Sequence, residues 1–228
     1  MGIASENQSL RIGILGGTFN PIHFGHLRSA EEVREAVALD RVYLVPAAQP
    51  PHKQTNALVD ATHRLKMVER AVADNPFFLP SDVELERPGP SYSIDTIRHF
   101  RMELPDAALF FILGLDAFHE IHTWKDYLLI PSLCNLIVTS RPGIPVPTID
   151  RLLPVALHTT LWYDPTIKMY RHPSGHCLIF HEIQGLNISA SQVRQIALQG
   201  KSLRYLVAPA VEEYIAEHTL YQNEELQR

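Results

Sequence analysis

The stretch ALFFILGLD, residues 108–116, carries no polar side chain before its last position. Successive side chains of a strand point to opposite faces, so a run this apolar has two faces that both need cover. Parallel sheets with helices on each side meet that need, and a sheet with one wet face does not. Similar runs recur as LRIGILGG (10–17), RVYLVPA (41–47), FFLPSDVEL (77–85, bent at Pro80), CNLIVTSRP (134–142) and CLIFHEI (177–183). Helical patterns alternate with them. Leu27, Ala30, Val33 and Val37 step by three or four within 24–39, and Leu65, Val68 and Val72 do so within 61–75. Further helices are expected at 93–104, 189–199 and 208–218. The alternation predicts an α/β fold: a single doubly wound, Rossmann-like domain over 10–220, with a mostly parallel sheet and helices on both faces. Residues 1–9 are polar and expected to be a flexible lead-in, and 221–228 a C-terminal tail. Segment 142–176, with PGIPVPT and HPSG, lacks a sustained period and is expected to leave the sheet as an irregular excursion.

Of 228 residues, 46% are hydrophobic and 20% charged, with a formal net charge of −5. That acidic balance argues against a nucleic-acid binder, which needs a basic surface. No apolar run approaches the roughly 20 residues of a membrane span. Cys134 and Cys177 are the two cysteines, and they form no CxxC pair. Together with the lack of a secretory leader, this leads to the expectation of a reducing cytoplasm.

The segment after the first strand is unlike a core turn. GILGGTFNPIHFGHLRSA (13–30) places Gly16 and Gly17 where a parallel sheet binds ligands, beyond the carboxyl end of a strand. Glycines there allow close approach of backbone to ligand, and the next helix offers unpaired N–H groups and partial positive charge. His23 and His26, three apart, project to one side of a first helical turn, with Gly25 between them. Two imidazoles so placed can donate to phosphate oxygens that gain charge as a P–O bond breaks. No cysteine or carboxylate stands nearby at zinc-ligand spacing. Neither a GxxxxGK[ST] loop nor a GxGxxG fingerprint is present.

GGTFNPIHFGH resembles the signature of the nucleotidyltransferase superfamily marked by HxGH, here His23-Phe24-Gly25-His26. The resemblance implies transfer of a nucleoside monophosphate from a triphosphate with release of pyrophosphate. The commonest signature has Asp where this chain has Asn20. Later stretches, from residue 11 to about 218, are similar to the bacterial nicotinate mononucleotide adenylyltransferase family. PAAQPPHK (46–53) would hold His52 and Lys53 out on a stiff Pro50-Pro51 turn, and the family implies phosphate contact there. HRLKM (63–67) resembles an Arg-x-x-Met helix start, in which Arg64 reads equally as a solvated helix residue.

In SYSIDT (91–96), Ser93 is expected to cap a helix, leaving the N–H groups of Ile94 and Asp95 for a carboxylate. The family assigns nicotinate binding to Ser93 and Ile94, and also to Lys125. Asp116, at the end of the most apolar strand, would contact the mononucleotide ribose, and Trp124 would stack on the pyridine ring. A core tryptophan is the other reading of Trp124. His119 and His122 read as surface residues. ISASQVR (188–194) resembles the family's ISSTxIR, with Ser189 and Gln192 spaced as a capping box and Ala190 in place of the second serine.

The resemblance therefore implies ATP contacts at Gly16, Gly17, Thr18, Phe19, His23, His26, Arg141, Ile188, Ser189 and Arg194. Catalysis would rest on His23, His26, Lys53 and Arg194, with Mg²⁺ brought by the ATP phosphates. The implied substrates are ATP and nicotinate mononucleotide. Nucleic acid and membrane are not expected as partners, and homo-oligomerisation is left open. The alternatives are another acceptor for an HxGH enzyme, or a nucleotide-binding regulator without turnover.

Overall fold

In the computed structural model, residues 9–51, 58–140 and 153–222 are described. In chain order they form β1 (Arg11–Gly17), α1 (Phe24–Ala36), β2 (Arg41–Pro46), α2 (Ala61–Val72), β3 (Phe78–Pro80), α3 (Val83–Glu86) and α4 (Ser93–Glu103). The chain continues through β4 (Ala108–Gly114), α5 (Leu115–His119), α6 (Ile130–Leu133), β5 (Asn135–Ser140), β6 (Trp162–Asp164), β7 (Met169–Arg171) and β8 (Cys177–Glu182). Helices α7 (Ala190–Leu198) and α8 (Pro209–Glu217) follow. The strands make one sheet in the order β3-β2-β1-β4-β5-β8-β7-β6. From β3 to β8 every neighbouring pair is parallel, and β7 and β6 continue the sheet antiparallel. The fold is the expected mostly parallel α/β sheet with helices on both faces.

The two-sided cover is visible in β4. Phe110 and Ile112 pack into one core with residues of α1, α2, α7 and α8. Leu109, Phe111 and Leu113 pack into the other with α3, α4, α5 and α6. Each such side chain contributes about 1.5–3 kcal/mol by leaving water. Gly13 is required inside β1, because a Cβ there would stand 2.8 Å from the Leu39 side chain.

Three expectations are corrected. The strand at 77–85 ends at Pro80 rather than bending there, and 83–86 is a turn of helix. Proline has no N–H for the ladder, and beyond it the N–H groups of Leu85 and Glu86 donate back to the Asp82 carbonyl. The described part of the segment 142–176 stays with the sheet, supplying β6 and β7. HPSG is the turn of the β7–β8 hairpin, and Tyr170 of β7 is buried with its ring near Phe180. Strands of three residues are too short to display a period. The third concerns the tail. Tyr221 is 2% exposed and its hydroxyl donates to Asn20 Oδ1 at 2.9 Å, so the packed chain runs through 221.

Neither cysteine is in a disulfide, and burial of Cys134 pushes its thiol pKa up to about 12. Cys177, at the start of β8, is only partly covered. Thiol titration of the native protein with an aromatic disulfide should modify Cys177 alone, and both thiols in denaturant. Prompt reaction of both in native buffer would contradict this core.

Candidate active site

Strand order runs outward from β1 through β2 to β3, then resumes with β4 on the other side of β1. The carboxyl ends of β1 and β4 therefore diverge, leaving the crevice where open α/β sheets bind ligands. A cavity of about 390 Å³ lies there. Leu15 to Phe19 line it from β1 and Phe111 to Gly114 from β4, with His26 at the start of α1. Ser91, Tyr92, Ser93, Trp124 and Lys125 close its other end.

The turn after β1 is strained and tightly held. Phe19 has φ of 45°, uncommon for a bulky residue. Its ring is buried under Gly17, where a Cβ would come within 2.8 Å of it. The Asn20–Pro21 peptide is cis. Asn20 Oδ1 accepts from the Val59 N–H at 3.3 Å and from the Tyr221 hydroxyl. Both partners are donors, so the amide oxygen serves here as a carboxylate oxygen would. Burial raises the Tyr221 pKa, which keeps that hydroxyl protonated as a donor.

Arg64 is not a solvated helix residue. It is 1% exposed, and its guanidinium donates to the carbonyls of Val59 (2.8 Å), Thr18 (2.8 Å), Ala47 (2.6 Å) and Ala48 (3.2 Å). Burial lowers its pKa, with Tyr221, Asp60 and Glu84 opposing. A guanidinium still keeps its proton at neutral pH.

His23 is the N-cap of α1, 5% exposed, and its ring stacks on that of His26 with centroids 3.7 Å apart. The His23 backbone N–H donates to His26 Nδ1 at 3.3 Å. Neutral His26 then carries its proton on Nε2, as a donor. A Cβ on Gly25 would meet the His23 ring at 3.0 Å and the Ile188 carbonyl at 3.3 Å. Glycine at this position thus lets α1 approach the ISAS segment. The first turn of α1 is less open than expected, because the Phe24 N–H is taken by the Leu206 carbonyl and the His26 N–H by the His23 carbonyl.

Ser189 caps α7 as expected, its side chain accepting from the Gln192 N–H at 3.2 Å. Ile188, just before it, is buried. Arg194 reaches from α7 to the signature turn, donating to the Asn20 carbonyl at 2.8 Å. It also donates to Ser191 Oγ at 3.2 Å.

At the other end of the cavity the cap of α4 is one residue earlier than expected. Tyr92 is the N-cap and its carbonyl accepts from the Asp95 N–H, so the amides without an acceptor among the described residues are those of Ser93 and Ile94. Ser93 lines the cavity, whereas Ile94 is fully buried as a whole residue and lies behind the lining. Trp124 is half-buried, packing its edge against Phe111 at 6.2 Å on the core side while it lines the cavity on the other. Lys125 Nζ pairs with Asp95 at 2.9 Å and lies over the Tyr92 ring.

Asp116 departs from expectation. Strand β4 ends at Gly114, the chain turns into α5, and Asp116 is exposed on that helix, outside the cavity lining. His52, Lys53 and Arg141 lie outside the described residues.

Tyr92, Glu84 and Phe111 also line the cavity, beyond the residues the sequence points to. Tyr92 lies within SYSIDT, beside Ser93. Glu84 stands among charged neighbours, Asp82, Glu86 and Arg87, and the sequence gives no sign of its burial. It is buried, accepting from the Thr96 hydroxyl at 2.5 Å.

Comparison with known proteins agrees with this geometry. The sequence profile of the Cytidylyltransferase-like family matches residues 14–196. A protein of Geobacter sp. (strain M21) named probable nicotinate-nucleotide adenylyltransferase is 49% identical over 93% of this chain and 98% of its own. The chain belongs to the nicotinate-nucleotide adenylyltransferase family. A second member, from Syntrophotalea carbinolica, is 46% identical over 95% of this chain and 99% of its own. The fold matches Plasmodium falciparum nicotinic acid mononucleotide adenylyltransferase complexed with NaAD, with a TM-score of 0.70, 17% identity, and coverage of 93% of this chain and 97% of that one.

The Ser189 cap makes a quantitative prediction. Ser189→Ala should lower the unfolding free energy by about 1 kcal/mol in urea titration, the usual worth of an N-cap hydroxyl. No change in the midpoint would mean that the hydroxyl does not cap α7.

Proposed function

We propose that this chain transfers the adenylyl group of ATP to nicotinate mononucleotide, giving deamido-NAD and pyrophosphate. The observation that carries the reading is that the cavity at the strand reversal joins two chemically different ends. One end has the glycine turn and His26, suited to phosphate. The other has Trp124 and the helix start at Ser93, suited to a flat ring bearing a carboxylate.

In this reading the mononucleotide phosphate oxygen attacks the α-phosphorus of ATP in line, and pyrophosphate departs. The residues position both substrates and stabilise charge, with no covalent intermediate. His26 donates from Nε2 to oxygens that gain charge. His23 fixes the His26 ring by stacking and by its N–H bond, and adds its own imidazole. Arg194, held at the signature turn, neutralises the leaving pyrophosphate. Gly16, Gly17, Thr18 and Phe19 bring backbone to the triphosphate. Ile188 and Ser189 bring the start of α7, and Arg141, His52 and Lys53 add cations.

Trp124 stacks on the pyridine, and the amides of Ser93, Ile94 and Lys125 take its carboxylate. Asp116 reaches the ribose only when the bound mononucleotide extends beyond the cavity lining. Imidazoles and N–H groups address phosphate oxygens rather than a cation. Among the described residues no three His, Cys, Asp or Glu side chains gather as a metal site. These donors fit Mg²⁺ carried on the triphosphate, where it neutralises phosphate charge. Among the described residues no helix is long and apolar enough to cross a membrane, and two free thiols suit a reducing cytoplasm.

The test is pyrophosphate release from ATP and Mg²⁺ with nicotinate or nicotinamide mononucleotide. Rapid release with the acid and weak release with the amide is expected. Equal rates would remove the role given to the Ser93 and Ile94 amides. Absence of release with either would favour another acceptor or a regulator. His26→Ala should lower kcat by about 100-fold, the usual loss for one charge-stabilising donor, with the melting temperature nearly unchanged. Retained turnover in that variant would remove His26 from the chemistry.

A further inference from the structure

We infer that Arg64 is a positioning residue for phosphate: by holding carbonyls from beneath, its buried guanidinium turns the amides of Phe19 and Ala48 toward the bound anion. The inference rests on the adenylyl-transfer reading and names how part of its phosphate site is made.

Arg64 lies on α2, below the loops that follow β1 and β2. Its Nη1 donates to Thr18 O and Ala47 O, and its Nη2 donates to Ala48 O. In a trans peptide the C=O and the next N–H point in opposite directions. Carbonyls drawn inward at Thr18 and Ala47 therefore present the Phe19 and Ala48 N–H groups outward. Thr18, Phe19 and Ala47 line the cavity on that side. Neither amide has an acceptor among the described residues. The adjoining Gln49 amide is already used, donating to Ser91 Oγ at 3.0 Å.

A second observation points the same way. Arg64 is 1% exposed and makes no contact-distance ion pair among the described residues, with Asp60 and Glu84 acting on it at longer range. Buried charges are ordinarily paired, because the desolvation cost is large. Four carbonyl dipoles and the more distant Asp60 and Glu84 offset part of that cost here, and an anionic ligand across the loop adds to them. The left-handed Phe19 backbone, with φ of 45°, is explained by the same arrangement. It is the conformation that lets Thr18 O face Arg64 while the Phe19 ring stays buried.

Amide resonances of the full-length protein, followed during titration with inorganic pyrophosphate, give the direct test. Phe19 and Ala48 are expected to shift among the most strongly affected signals. Pyrophosphate shifting other residues of the cavity but leaving these two in place overturns the inference and leaves adenylyl transfer standing. If pyrophosphate shifts nothing and the protein releases none in turnover, both readings fall.

Variants give an independent arm. In folded Arg64→Lys, the charge remains but the fork is lost, so pyrophosphate Kd should weaken by about tenfold, the worth of one or two charge-assisted bonds. KM for ATP should rise with it. A purely structural role would lower the melting temperature and leave the pyrophosphate Kd of the folded protein unchanged. If Arg64→Lys does not fold, the amide titration of the unaltered protein decides.

Discussion

A sheet whose strands are apolar on both faces has no surface of its own with which to bind anything. Helices occupy both sides of β4, and Leu109 to Leu113 are spent on two cores. Polar chemistry is thereby confined to the ends of the strands. At the carboxyl end, helix N-termini and turn amides supply positive partial charge without a basic surface. This is how a chain with net charge of −5 can still present local positive potential at one end of its sheet.

The site is then a matter of how loops from distant parts of the chain are tied together. Arg64 joins the turns after β1 and β2 to Val59. Arg194 and Tyr221 both bond to Asn20, which brings α7 and the end of the described chain to the signature turn. Glu32 on α1 accepts from the Gln184 and Gly185 amides and fixes the approach to α7. Asn20 joins these segments without adding charge, its side-chain oxygen accepting from the Val59 N–H and the Tyr221 hydroxyl.

Much of this was legible in the sequence because it depends on local patterning. Strand runs, helix periods, the glycine turn, the HxGH spacing and the Ser189 cap each express a rule that acts within a few residues. The errors lie where the rule is longer in range or finer in register. The α4 cap moved by one residue, which changed the free amides from Ile94 and Asp95 to Ser93 and Ile94. Asp116 was placed at a strand end, and the strand stopped two residues earlier. Strands β6 and β7 have three residues each and owe their existence to pairing with β8.

What the sequence by itself determined is the layered architecture and the glycine turn at the carboxyl end of β1, because apolar periodicity and glycine placement act through local sterics and burial. Only the tertiary structure decided the role of Arg64. An arginine on an amphipathic helix looks the same in sequence whether it meets water or four carbonyls. The difference arises from loops 16 to 46 positions away being folded over it. Tyr221 teaches the same lesson from the chain's other end. Its hydroxyl finds Asn20 across 201 residues, a separation over which no sequence pattern carries information.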